Sequence, residues 1–520
     1  MAPSPTRGLV FWLRALTLAA AACVFVYSAQ RLVRPLALTA NSDTLYLAGL
    51  YRDLVVDHVS VRAWSLQPAP SLFPDALLYF PLRAVTGHPV VAICAYGIGE
   101  AVILVLLVVS LLRAVGAGNP WSRWTAALLG ISGLCYMSSF GDFFHTLFAP
   151  SIHGSSFLAG ICSASLIAHQ VRRQKTSVPG AAGVLIITAL TAGFDRIYLL
   201  WSAAPLAAAL AFCFFFGIAN RKVACANFAA VLSGAWVATY VARLPAMFGM
   251  KVPTIAAEVE VSWAQVQRVL THLPPPEHAP NVVAVTVCLL VVAVALTFAV
   301  CAISAKGLTP SRGAHRGGMT FLAAAALMSL VGTFFGVAFS SVYWDPASAR
   351  YLEPLFFLPY IVATVSLVIA GGWMLRISTI APLLVLVLPE GVGPQKSPTQ
   401  LAPTGSLTYP PDVACIVRVS ARYGARYGYG DYWSARRTTE LSKRRLRILP
   451  VLPSFGPDGW IANAVWHDRM PEVIPAFVVL LSRLEPDEVR RTLGEPTAVE
   501  ECAAETIWVY EGPPRTRPSR

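Results

Sequence analysis

Apolar residues come in long blocks, separated by short polar stretches, along most of this chain. The blocks are close to the roughly 20 residues that a helix needs to cross about 30 Å of hydrocarbon. The pattern predicts a polytopic α-helical membrane protein with about eleven transmembrane helices. The predicted spans are 8–28, 89–112, 123–140, 154–170, 180–193, 198–219, 223–243, 281–304, 319–340, 354–371 and 373–389.

Composition agrees with that pattern. Of the 520 residues, 56% are hydrophobic and only 13% are charged, whereas soluble domains carry about 25% charged residues. The formal charge of +13 raises the question of nucleic acid. However, the basic residues cluster between apolar blocks and in the tail, as expected of charge that sets membrane topology. We therefore predict a membrane-lipid environment and no nucleic-acid partner.

Lys and Arg in the short loops predict the orientation, because such loops face the cytoplasm. The N-terminus, with Arg7 and Arg14, then lies in the cytoplasm of a multi-pass plasma (inner) membrane protein. The tail lies outside, together with segments 29–88, 141–153, 244–280 and 341–353. The alternative, a signal peptide cleaved near Ala29, is opposed by Arg14 within the apolar run, and it leaves the rest of the topology unchanged.

Residues 1–389 are thus predicted to form the membrane domain, and residues 390–410, rich in Pro, Gly, Ser and Thr, a linker. Residues 411–520 are predicted to form a small extracytoplasmic α/β domain. Its expected elements are a helix ending near Leu441, a helix beginning within 485–489, and strands at 446–452, 476–481 and 506–510. Cys415 and Cys502 are expected to pair in a disulfide, because an oxidising compartment favours one.

Candidate chemistry in the tail has two interpretations at each place. Asp431, Tyr432 and Trp433 suit sugar binding, but they also suit a domain core and a turn. A basic run suits lipid head groups or a solvated face equally well; it comprises Arg436, Arg437, Lys443, Arg444, Arg445 and Arg447.

The first external segment, 29–88, holds two acids near the starts of two predicted surface helices, at 44–56 and 72–82. Asp43 and Asp75 are therefore either site residues or helix N-caps. The next external turn carries Asp142, His145 and His153, which are costly at the membrane edge unless they face water or one another. A divalent metal stays open there, since Asp142 and His145 supply two ligands and nothing fixes the rest.

Two further external turns carry charge. Asp195 and Arg196 form either a salt bridge between helices or part of a site. Arg350, followed by Tyr351, suits a phosphate group because a planar guanidinium binds oxygen pairs, but it also suits an ordinary interfacial anchor. With Asp345, all these residues are predicted on one side of the bundle, which favours an external site over a transport path. Glu100 is the main ionisable residue inside a span.

The arrangement resembles the GT-C fold glycosyltransferases, membrane enzymes that move a sugar from a polyprenyl-phosphate carrier. The resemblance rests on an acid opening a long first loop (Asp43), a His-Gly pair opening the fourth span (His153-Gly154), and an acid between the fifth and sixth blocks (Asp195). It also rests on Arg350-Tyr351-x-x-Pro354 before a late span and on the terminal soluble domain.

The resemblance implies that Asp43 is the general base, with Asp75 or Asp142 as a second acid that orients the acceptor or a metal. It implies that Arg350, or else Arg196, holds the carrier phosphate. His145, His153, Asp195 and Tyr351 are predicted substrate-binding residues. The implied partners are a polyprenyl-phosphate-linked sugar and a glycan, lipid or protein acceptor. The rival hypotheses are a transporter or flippase for a lipid-linked or polysaccharide precursor, and a non-catalytic membrane scaffold.

Overall fold

The computed structural model describes residues 5–38, 40–138, 144–253, 263–272, 310–340, 346–370, 410–443, 445–468, 476–502 and 505–512. The predicted spans 281–304 and 373–389, and nearly all of the predicted linker, lie outside these ranges. Within them, the chain forms a helical bundle followed by a smaller part that contains a β-sheet.

Most of the described chain up to residue 370 is helical. The helices are α1 (Pro5–Leu38), α2 (Tyr46–Tyr51), α3 (Leu77–Thr86), α4 (Pro89–Val115), α5 (Pro120–Met137), α6 (Gly154–Arg173), α7 (Val178–Phe194), α8 (Ala204–Phe215), α9 (Arg221–Val241), α10 (Leu244–Met247), α11 (Trp263–His272), α12 (Pro310–Ala338) and α13 (Glu353–Ala370). Single π-helical turns precede α3 and α8 and follow α2, at Leu72–Ala76, Leu199–Ala203 and Arg52–Val56.

Several helices fit a membrane protein. Among the described residues, four segments are long and apolar enough to cross a bilayer: Gly8–Ala37, Pro89–Val115, Arg221–Met247 and Gly317–Ala338. Two shorter apolar helices span Val178–Phe194 and Leu199–Phe215. The other predicted spans that the structure describes are also helical, but they do not meet both of these criteria.

Local sequence explains where several helices begin and end. Pro89 lies in the first turn of α4, where its missing N–H costs nothing, and Gly116 ends that helix in the left-handed conformation. Asn119 and Asn220 cap α5 and α9, each accepting a backbone N–H with its side chain. The two helices predicted within residues 29–88 are present as α2 and α3 with their π-helical turns.

The C-terminal part is an α/β unit. Its helices are α14 (Pro411–Arg422), α15 (Tyr432–Leu441), α16 (Val465–Asp468) and α17 (Pro486–Leu493), and its strands are β1 (Tyr427–Gly430), β2 (Arg447–Pro450), β3 (Ala476–Leu480), β4 (Ala498–Cys502) and β5 (Glu505–Glu511). The strand order is β2-β1-β3-β5-β4, with β1 parallel to β2 and β3, and β5 antiparallel to β3 and β4.

Strand β3 is central, and all five of its residues are buried, as its apolar sequence predicts. Apolar clusters cover both faces of the sheet, one around Phe477 and the other around Val478. The sequence pattern does not predict β1 and β4. β1 is short and contains two glycines, and β4 alternates exposed and half-buried residues at the sheet edge. A disulfide joins Cys415 in α14 to Cys502 in β4, with the Cα atoms 5.6 Å apart, which is the expected pairing.

A buried charged junction joins this unit to the segment between α1 and α4. The Arg52 guanidinium forms a salt bridge with Glu440 of α15, and the two side chains are only 9% and 5% exposed. Asp53 accepts hydrogen bonds from Asn463 Nδ2 at 2.7 Å and from Trp466 Nε1 at 2.8 Å. These contacts satisfy charges that would otherwise be costly to bury.

Arg436 extends the junction through aromatic contacts. Its guanidinium lies 5.9, 5.5 and 5.8 Å from the ring centroids of Trp64, Tyr432 and Trp466, within the range of cation–π attraction. The backbone also contributes, since Ser65 N–H donates to the Ala462 carbonyl at 2.8 Å. The segment between α1 and α4 and the C-terminal unit therefore share one buried interface.

We expect Glu440→Gln to weaken this interface by about 2 kcal/mol, because it removes one buried charged hydrogen bond and leaves Arg52 only Asp53 and Asp57 as countercharges. Hydrogen exchange of α2 and α15 in the detergent-solubilised protein measures the change. Glu488→Gln is the matched control, since Glu488 forms an exposed pair with Arg491. Equal protection in the two variants would contradict the prediction.

We expect the stability of the C-terminal unit to depend on pH through Glu505. Burial, and secondly the negative charge of Asp431, raise the pKa of Glu505 to about 7. A carboxyl group with a raised folded-state pKa lowers stability as pH rises, so stability is lost between about pH 4.5 and 7. We expect Glu505→Gln to recover about 1 kcal/mol at pH 8 and nothing at pH 4, measured by denaturant unfolding. A gain that is equal at both pH values would contradict this origin.

Candidate active site at the junction of the bundle and the C-terminal unit

The site begins at a tight turn after α1. The Asn41 side-chain oxygen accepts the backbone N–H groups of Asp43 at 3.0 Å and Thr44 at 3.1 Å, a local bond that favours a turn over continued helix. Leu45 precedes α2 without side-chain capping. Asn41 therefore shapes the turn, and the Asp43 side chain is not an N-cap for this helix.

The Asp43 carboxylate has two partners from distant parts of the chain. Tyr432 Oη donates to Oδ1 at 2.8 Å, and Arg350 Nη1 donates to Oδ2 at 3.2 Å. The side chains of Asp43 and Arg350 are 15% and 29% exposed, so a ligand can reach both. Burial and the nearby Asp43 charge raise the pKa of Tyr432 well above its ordinary range, which keeps its hydroxyl a donor.

A second pair lies at the start of α6. His153 Nδ1 is 2.9 Å from Asp195 Oδ2, and Ser156 donates to the same oxygen. His153 adopts the left-handed conformation, with φ of 70°. Asp195 is therefore engaged by α6, and no ion pair between Asp195 and Arg196 occurs in the described structure. The Arg196 side chain is exposed.

Tyr351 connects the two pairs. The Arg350 guanidinium lies 5.3 Å from the Tyr351 ring centroid, and the Tyr351 and His153 rings are 5.5 Å apart. Trp201 Nε1 donates to the Tyr351 carbonyl at 3.0 Å. The structure thus brings Asp43, Arg350, Tyr351, His153 and Asp195 into one continuous line of contacts.

Asp75 belongs to a separate, fully buried network. Its Oδ1 lies 2.7 Å from Tyr96 Oη, and its Oδ2 accepts the Ser151 N–H at 2.9 Å. Burial raises the pKa of Asp75. Tyr96 Oη is also 2.8 Å from Glu100 Oε1. Because a hydroxyl carries one proton, the tyrosine can donate to only one of these carboxyl groups.

Other residues predicted from the sequence are not part of this line of contacts. Asp142 and Asp345 lie outside the described residues, as does the side chain of His145. Asp431 caps α15 by accepting the Ser434 N–H at 2.8 Å, which agrees with its interpretation as a turn residue. In the basic run, Arg436 and Arg437 face the protein, and Arg437 pairs with Asp412.

An apolar cleft of about 110 Å³ lies between α6, α8, α12 and α13. Phe157, Leu206, Met319 and Ile361 are among its lining residues. Trp201, which contacts the Tyr351 carbonyl and the His153 ring, is also part of its wall. The polar line of residues and the apolar cleft therefore meet at Trp201.

Two sets of contacts cannot be predicted from the sequence. The residue pattern predicts Tyr432 as a sugar ligand or a core residue, but not as a partner of Asp43. It assigns no role to Arg52, Asp53 and Glu440, whose only sequence signal is charge within amphipathic helices.

No set of three or more His, Cys, Asp or Glu side chains suited to a metal ion occurs among the residues that the structure describes. Comparison of the chain with protein-family models, curated proteins and solved structures finds no match. The resemblance to GT-C glycosyltransferases therefore rests on the residues alone.

Gly154 positions His153 through a close approach of two backbones. A Cβ atom at Gly154 would lie 2.0 Å from the Leu147 carbonyl oxygen. We expect Gly154→Ala to destabilise the protein by about 2 kcal/mol, because a packed backbone must move. Gly133→Ala is the control, since that Cβ would meet nothing within 4 Å. Thermal unfolding in detergent compares them, and equal midpoints would contradict the prediction.

Proposed function

We propose that this protein is a membrane glycosyltransferase that moves a sugar from a polyprenyl-phosphate carrier to an acceptor at the outer face of the membrane. The observation that carries the proposal is the partly exposed pair of Asp43 and Arg350, with Nη1 3.2 Å from Oδ2. A carboxylate beside a guanidinium offers a base and a phosphate ligand at one place.

The proposed reaction uses these two groups in different roles. The acceptor hydroxyl attacks the anomeric carbon while Asp43 takes the hydroxyl proton. The bond between the anomeric carbon and the phosphate oxygen breaks, and its electron pair leaves with the carrier phosphate. Arg350 offsets the charge that develops on that phosphate. Attack opposite the leaving group inverts the anomeric configuration.

Two features support the role of Arg350 and the lipid nature of the donor. Arg350 Nε is buried and has no hydrogen-bond partner among the described residues, so the guanidinium retains donor capacity beyond its bond to Asp43. The apolar cleft reaches Trp201, one residue contact from Tyr351. A hydrocarbon chain suits such a cleft, because burying apolar surface is favourable at about 25 cal/mol per Å².

The proposal includes about eleven spans, a cytoplasmic N-terminus and an extracytoplasmic C-terminal domain. The direct contact of residues 41–65 with the C-terminal unit supports a common side for both. Arg172 Nη1 donates to the Arg113 carbonyl at 3.1 Å, so two basic loops lie together. The positive-inside rule expects such loops at the cytoplasmic face, which supports the proposed orientation.

A transporter or flippase for a lipid-linked or polysaccharide precursor is the second candidate. Glu100 favours it, because this acid is buried within α4 and lies beside Asp75 through Tyr96. Buried ionisable residues inside spans often mark ion or substrate paths. A transporter would move the carrier across liposomes without covalent change, whereas a glycosyltransferase would release the free carrier phosphate.

We expect Asp43→Asn to lower sugar transfer at least about 100-fold, as loss of a general base does. We expect Arg350→Lys to weaken carrier binding about 10-fold, because Lys lacks the planar fork. Mass spectrometry of lipid-linked sugars and their products, in cells that lack the gene and express each variant, measures transfer.

Arg196→Lys is the matched control for Arg350→Lys, because Arg196 is exposed and its side chain contacts neither Asp43 nor Tyr351 in the described structure. Its transfer activity should equal that of the wild type. Full transfer by a folded Asp43→Asn variant would remove Asp43 from the mechanism and favour the transporter hypothesis.

A further inference from the structure

The C-terminal unit reaches the candidate site through the first turn of α15. Ser42 Oγ lies 2.8 Å from the backbone carbonyl oxygens of both Tyr432 and Trp433. Arg437 of the same helix donates to the Ala40 carbonyl at 3.2 Å. The turn that presents Asp43 is therefore held against the beginning of this helix.

Contacts within the C-terminal unit hold the Tyr432 side chain in place. Asp431 caps α15 and also accepts a hydrogen bond from Ser482 Oγ at 2.9 Å. This bond joins the start of the helix to the loop after β3. The Tyr432 side chain packs against Trp433, with centroids 5.1 Å apart, and lies 5.5 Å from the Arg436 guanidinium. Only 9% of the residue is exposed, so its hydroxyl has little freedom to move.

The two partners of Asp43 bind different oxygens of its carboxylate. Aspartate and arginine commonly form two parallel hydrogen bonds when both carboxylate oxygens are available. Here Tyr432 occupies Oδ1 at 2.8 Å, and the hydrogen bond from Arg350 goes to Oδ2. Each carboxylate oxygen has a second lone pair, so Asp43 can still accept a proton from a ligand.

We infer that Tyr432, supplied by the C-terminal unit, is a positioning residue that keeps Asp43 from closing onto Arg350 in a two-bond pair. Held this way, Asp43 faces the acceptor while the remaining N–H groups of Arg350 stay available for the carrier phosphate. The site is then composite, and the C-terminal unit is part of the transfer machinery rather than an appended binding module. This inference rests on the proposed glycosyltransferase function.

The test is Tyr432→Phe in the full-length protein, which removes the hydroxyl and keeps the ring. We expect transfer in complemented cells to fall about 10- to 100-fold, as small misplacements of catalytic groups do. Binding of undecaprenyl monophosphate in nanodiscs should change less than about 3-fold. Replacing Tyr432 with p-aminophenylalanine, which restores an N–H donor at the same place, should recover most of the activity.

Tyr510→Phe is the matched control. Its hydroxyl donates to the Gly494 carbonyl at 3.2 Å within the C-terminal unit and makes no contact with Asp43. This variant should transfer sugar within about 3-fold of wild type, because it does not alter the Asp43 carboxylate.

The outcomes separate the inference from the proposed function. If Tyr432→Phe transfers like wild type while Asp43→Asn does not, the inference fails and the function stands. If Asp43→Asn also transfers like wild type, both fail. If Tyr432→Phe loses activity together with hydrogen-exchange protection of residues 41–47, or p-aminophenylalanine restores nothing, the role of Tyr432 is structural and the inference is overturned.

Discussion

The buried salt bridge between Arg52 and Glu440 is the constraint on which much of this structure depends. Two charges withdrawn from water are tolerated only when each meets its partner in good geometry, so the C-terminal unit can dock on the segment between α1 and α4 in one register. Asp53, with its bonds from Asn463 and Trp466, adds a second requirement for the same register. Once these contacts are made, the start of α15 is placed against the turn that carries Asp43.

From that turn, polar contacts continue into the bundle. Tyr432 leads to Asp43, Asp43 to Arg350, and Arg350 through Tyr351 to His153 and Asp195. Each step joins segments that are far apart in the chain, and the line ends beside an apolar cleft at Trp201. A charged site next to an apolar cleft suits a substrate with a polar head and a hydrocarbon tail, which is the chemistry of a lipid-linked sugar.

The second polar network, formed by Asp75, Tyr96 and Glu100, differs from the Asp43 pair in its burial and in its charges. It is fully buried, and a single tyrosine hydroxyl lies between two carboxyl groups. Such a group of acids is destabilising unless protons are retained, because like charges in a low dielectric repel strongly. The transporter hypothesis therefore depends on this network and not on the Asp43 pair.

The sequence by itself determined the elements whose cause is local. Apolar blocks predicted the bundle helices, alternating and apolar runs predicted β2, β3 and β5, and residue types marked Asp43, His153, Asp195 and Arg350 as candidates. Only the tertiary structure decided which of these meet, because each partner lies tens to hundreds of residues away. It replaced the Asp195–Arg196 alternative by the His153–Asp195 bond, and it showed that Tyr432, predicted as a sugar ligand or a core residue, is a partner of Asp43. Periodicity and composition record the environment of each residue, but not which distant side chain supplies it.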